Sequence, residues 1–135
     1  MKNVVFGWLV VAVLGGCGPQ HLYQRHDLQA ALLKHHQNIR WGRLTQAAAP
    51  VQPDLQRDFV QSWSAHIEQL ELHNVEVIGM SEGPGGDVVE VSVRLQWIDQ
   101  QSMNMRSKTL TEVWVRTKEG WQVAAPVFPR NLLSD

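Results

Sequence analysis

The chain has one cysteine and one tyrosine among its 135 residues. A lone cysteine excludes an intrachain disulfide, so packing alone must hold the fold. No run or patch of basic residues occurs, the 12 lysines and arginines being balanced by 13 acidic residues. The electrostatic footprint of a nucleic-acid binder is therefore missing. The apolar run from Val4 to Leu14 would rise only about 16 Å as a helix, short of the roughly 30 Å of bilayer hydrocarbon, so no permanent span is expected there. There is no Gly-x-Ser-x-Gly nucleophile elbow, no internal repeat and no low-complexity block. Histidine is more frequent, with six copies, but no histidine stands with cysteine or carboxylate at a recognised metal-ligand spacing. A helix points the neighbours His35 and His36 about 100° apart, and His66 and His73 could meet only through tertiary folding. No metal and no cofactor is expected.

What the apolar run does supply is a leader. Met1-Lys2-Asn3 is a short positive start, and the run closes on Leu14-Gly15-Gly16-Cys17. An aliphatic residue, two small residues and a cysteine at the end of such a run resemble the lipobox of bacterial lipoproteins. The resemblance implies removal of residues 1–16, a diacylglyceryl thioether on Cys17 and, in many bacteria, a third acyl chain on its amino group. Two or three chains anchor far more firmly than one, since each buried methylene adds about 0.8 kcal/mol. Gly18, where aspartate would retain a lipoprotein at the inner membrane, implies by the same resemblance the periplasmic side of the outer membrane. Residues 17–21 then form a tether of at most about 3.5 Å per residue, and the domain over residues 22–130 rides close to the lipid.

That domain begins with helical spacing. Leu28, Leu32, His35 and Ile39 form one stripe from about Leu22 to Ile39, broken by Gly42. Leu44–Ala49 makes a short second helix stopped by Pro50 and Pro53. Leu55, Phe59, Trp63 and Ile67 recur every four residues in a third. The period then changes to two. Leu72–Met80 reads as a strand, residues 81–87 as a turn-rich loop, and Val89, Val91, Val93, Leu95 and Trp97 alternate with polar residues. Met103–Arg116 reads as the next strand, Thr117–Gly120 as a tight hairpin, and Trp121–Ala125 as the last strand. Residues 131–135 read as a loose surface tail. Three helices followed by four antiparallel strands give an α+β fold, with the helices packed on one face of a four-stranded sheet.

The long first helix, the Arg40-Trp41-Gly42-Arg43-Leu44 hinge, the proline-marked second helix and the strand meander ending in Gly120-Trp121-Gln122-Val123 resemble the nuclear transport factor 2-like superfamily. The resemblance implies a bent sheet wrapped around the long helix as a cone with a pocket at its open end. Catalytic members place an Asp, His or Tyr in that pocket, and Tyr23, Asp27, His35 and His66 are the occupants available here. The Val89–Trp97 face, expected inside, carries no acid or base, so a non-catalytic binding or interaction module is the leading expectation. The alternative is a small isomerase- or dehydratase-like enzyme, favoured if Glu90, Arg94 and Gln96 line the cavity instead. Candidate ligand contacts are Trp63 and Trp97, with Met103 or Met105, around a small apolar ligand. With the Val113 face taken as inward, Leu110 and Trp114 form an apolar spot on the outer sheet, suited to a homodimer or an envelope partner protein.

Overall fold

The computed structural model describes residues 19–133, with side chains from His26 onward. The leader, Cys17 and Gly18 lie outside the described residues, as does the side chain of Tyr23. The chain folds as α1 (Pro19–Arg40), α2 (Leu44–Ala48), α3 (Gln56–His66), β1 (Leu70–Glu82), β2 (Val88–Asp99), β3 (Met105–Thr117), β4 (Gly120–Ala125) and a terminal turn of helix, α4 (Arg130–Leu133). The sheet is antiparallel throughout, in the order β1-β2-β3-β4. This is the α+β architecture expected from the change of period, with the helices mostly N-terminal.

Local chemistry sets the element ends. Gly42, at φ +69°, closes α1: its N–H bonds Ile39 O at 3.1 Å and the Arg43 N–H bonds Asn38 O at 2.9 Å. These are the paired bonds of a Schellman cap, which needs a left-handed residue where only glycine is unstrained. The Arg43 Nε–H adds a bond to Asn38 Oδ1 at 3.0 Å. After α2 the chain runs along the sheet edge, where Val51 bridges Val123 in parallel. The Gln52 N–H donates to Val123 O and the Val123 N–H to Pro50 O, so the β4 edge is covered rather than left open.

The core is continuous from α1 through α3 to the sheet. Val89, Val91, Val93, Leu95 and Trp97 are all buried, as their alternation demands. Cross-strand partners share a face, and the register pairs Val89 with Trp114, Val91 with Glu112 and Val93 with Leu110. Trp114 and Glu112 are therefore inward and fully buried, and Leu110 packs against the core. This corrects the expectation of an outward Leu110–Trp114 interface: once the register is fixed, the inner face of β3 is the one carrying glutamate, and neither residue is free for a partner on the outer face. Residues 127–133 are also better held than a loose tail. Val127, Phe128 and Leu132 are buried, the Trp63 Nε1–H donates to Val127 O at 3.0 Å, and Phe128 packs edge-on against Phe59. Among the described residues, the buried core side chains lie between Leu28 and Leu132, all downstream of Cys17.

β1 departs from simple alternation at two bulges, between Leu72 and Asn74 and between Val77 and Gly79. Each shifts the phase by one residue, so Leu72, Val75, Val77 and Met80 face the same side as Trp97, Leu95, Val93 and Val91. The face assignment of β3 predicts that Trp114→Ala lowers stability by about 3–5 kcal/mol in urea unfolding. Thr111→Ala, on the exposed face of the same strand, should move it by less than about 0.5 kcal/mol.

Candidate functional site

The buried stripe of α1 is wide: Leu28, Leu32, His35, His36, Asn38 and Ile39 all lie below one-tenth exposure. Because α1 lies across the sheet, His35 and His36 straddle the contact line and both reach inward. They meet at Glu112, which the alternation of Leu110, Glu112 and Trp114 places on the same face. The His36 Nε2–H donates to Glu112 Oε1 at 2.7 Å, and the Trp114 Nε1–H donates to the same oxygen at 3.1 Å. His35 is held from behind, its Nδ1–H donating to Ala47 O at 2.7 Å. Its Nε2 faces Glu112 Oε2 at 3.7 Å. Rings close the surroundings, with Trp114 edge-on to His35 at 5.4 Å and Phe59 at 5.7 Å.

The helical separation of the two histidines therefore does not keep them from sharing a partner; tertiary packing brings both to one carboxylate. His35, His36 and Glu112 place their donor atoms within 4.8 Å of one another, a set that invites a metal. The bonds already made argue otherwise. Oε1 accepts two N–H groups, and His36 Nε2 is spent as one of the donors. Of the trio's buried polar atoms, only His35 Nε2 and Glu112 Oε2 are without a hydrogen bond. Two protein ligands fall short of the three that even an open zinc site uses. Those two atoms face each other at 3.7 Å inside a sealed network in which the carboxylate is met by His36 and Trp114, so the cluster fits a structural hydrogen-bonded network.

Burial acts to raise the Glu112 pKa, but the close approach of His35, the hydrogen bond from His36 and the electrostatic attraction of both imidazoles outweigh it and hold the group at about 2. A depressed carboxylate pKa stabilises the fold at pH values above the unfolded value near 4.5, and that contribution is lost as pH falls toward 2. The expected loss is about 3 kcal/mol between pH 5 and pH 2. Urea unfolding across that range checks it, and Glu112→Gln should flatten the dependence while lowering stability at pH 7.

Of the three groups only His36 reaches a surface. It lines a groove of about 530 Å³ between α1 and β1, with Leu32, Leu33 and Arg40 on one side and Val75, Val77 and Met80 on the other. The remaining sequence candidates are dispersed. Trp63 is wholly buried in the core, which removes it as a ligand contact. Trp97 is buried too, but borders a second and more polar groove of about 670 Å³ with Glu68, Asp99, Arg106 and Leu132. Asp27 is exposed on α1, His66 bonds Ser62 O within its own helix, and Met103 and Met105 lie open to solvent. His36 and Glu112 were not foreseen as a site. Their only signal is two histidines on an apolar helical stripe and a glutamate alternating with Leu110 and Trp114.

No protein-family model matches the chain, and no curated protein matches it in sequence. Its fold is similar to that of a function-unknown protein from Mycobacterium tuberculosis, with a TM-score of 0.64 at 12% identity over 82% of this chain and 74% of the other. It is also similar to a SEC-C motif-containing protein from Rhodopseudomonas palustris, with a TM-score of 0.54 at 14% identity over 64% of this chain and 66% of the other. At such identities the likeness is one of fold alone.

Proposed function

We propose that this chain is a lipid-anchored cell-envelope protein, held through acyl chains on Cys17 at the periplasmic side of the outer membrane, and that it works there as a non-catalytic binding module. The anchor rests on the lipobox-like Leu14-Gly15-Gly16-Cys17 following a short apolar run. A cone of the nuclear transport factor 2 kind is supported by a long helix lying against the inner face of a sheet whose edge strand carries two bulges. One observation carries the binding role: a groove with apolar walls opens between α1 and β1, while the ionised carboxylate beneath it is sealed from solvent. An acid–base pair needs both groups within reach of substrate, and Glu112 is 0% exposed.

A second reading has a specific observation in its favour. His36 lines the groove and is bonded to a carboxylate, an arrangement that orients an imidazole as a general base for an isomerase- or dehydratase-like reaction. Native mass spectrometry of residues 18–135 purified from the protein's own host separates the two. The binding module retains a small molecule that is recovered unchanged on incubation. An enzyme consumes it at a rate that His36→Gln abolishes. The anchor is checked by fractionation: the wild-type chain should sediment with the outer membrane, and Cys17→Ala should be unprocessed by lipoprotein maturation and lose that association. A normally processed, membrane-bound Cys17→Ala protein would refute lipidation.

A further inference from the structure

We infer that the occupant of the α1–β1 groove is a single-chain amphiphile bearing one carboxylate. This rests on the binding reading above and adds to it the chemistry of the ligand. The walls supply the apolar part. Leu32, Val75 and Val77 form the inner surface, and Leu33 and Met80 stand at the rim with 60% and 44% of their surface in water. A hydrocarbon chain laid between helix and strand removes that apolar surface from solvent. The volume of about 530 Å³ lies within the roughly 300–1,000 Å³ of small-ligand sites.

The polar groups select the head. Arg40 lines the groove, its guanidinium stacked over the Trp41 ring at 5.0 Å, and it has no carboxylate partner among the described residues. The groove also contains Glu76, but Arg94 engages that carboxylate at 2.8 Å from the neighbouring strand. The charge left to a ligand is one cation, which matches a single carboxylate in a geometry that guanidinium favours. The amides of Gln37 and Asn74 also line the groove and have no side-chain partner among the described residues, so they can complete the head-group contacts. Position agrees with chemistry. α1 begins at Pro19, two residues after Cys17, and Gln29, where the groove starts on the helix, stands about 15 Å farther along it. A lipid-anchored chain would thus hold the groove close to the leaflet in which single-chain amphiphiles partition.

The test is a titration of residues 18–135, followed by amide NMR, with three twelve-carbon probes below their micellar concentrations: laurate, dodecanol and dodecyltrimethylammonium. Laurate should shift amides within residues 29–40 and 74–80 and bind at least about tenfold more tightly than either other probe. Arg40→Gln should remove that preference while leaving dodecanol binding unchanged. Leu33→Asp, at an exposed position that spares the core, should weaken all three. Equal binding of the three probes, a preference that survives Arg40→Gln, or laurate shifts centred on Trp97 instead of the groove would each overturn the inference. If laurate fails while the host-purified domain retains a mass of other chemistry, the binding reading stands and only the carboxylate assignment falls. A bare domain that binds no probe removes both.

Discussion

A carboxylate taken out of water in the middle of a small core is the constraint on which the rest of this structure depends. Removing Glu112 from solvent costs several kcal/mol, repaid only if its oxygens are met by well-placed donors. Those donors come from the long helix and from the strand itself: His36 and Trp114 on one oxygen, with His35 facing the other. The His35 ring in turn is fixed by the carbonyl of Ala47 in the second helix. One buried charge therefore ties α1, α2 and β3 into a single arrangement. A fully apolar core could slide along α1; this one can be satisfied only where the two imidazoles meet the carboxylate.

The two edges of the sheet are treated differently, and the groove follows from that. β4 is closed by residues 50–52, which pair with Val123. Among the described residues β1 pairs only with β2. Its two bulges turn Val75, Val77 and Met80 toward the helix, yet α1 does not fill the space in front of them, and Leu33 and Met80 keep much of their surface in water. The apolar surface that a closed core would have buried is left open as the wall of the groove. The charge distribution fits this, because Arg94 pairs with Glu76 and Arg40 has no carboxylate partner among the described residues.

The fold is shared at low identity with proteins from Mycobacterium tuberculosis and Rhodopseudomonas palustris, which extends the architecture but carries no activity across. Function has to be argued from the site. Here the site divides into two parts: a sealed hydrogen-bonded network that organises the core, and an open groove that, among the described residues, touches it through His36. That division favours binding over acid–base chemistry.

The class of fold was legible in the sequence because two periods, near 3.6 and then 2, each demand one buried face, and no other packing buries both. The end of α1 was legible at Gly42, the hairpin at Gly120 and the inward face of β2 in five alternating apolar residues. The site was not. Alternation in β3 offers two faces, and without the register a face bearing Glu112 looks like the outer one, since a lone carboxylate is not expected in a core. What makes it tolerable is a pair of histidines 77 and 76 residues earlier in the chain, and no local pattern records a pairing at that distance. The bulges in β1 are equally invisible, because Val75 and Val77 stand out of phase with Leu72 in strict alternation. Local propensity and period determined the elements and their order; register and long-range charge compensation, which exist only once the chain is packed, decided which residues meet and where a groove is left open.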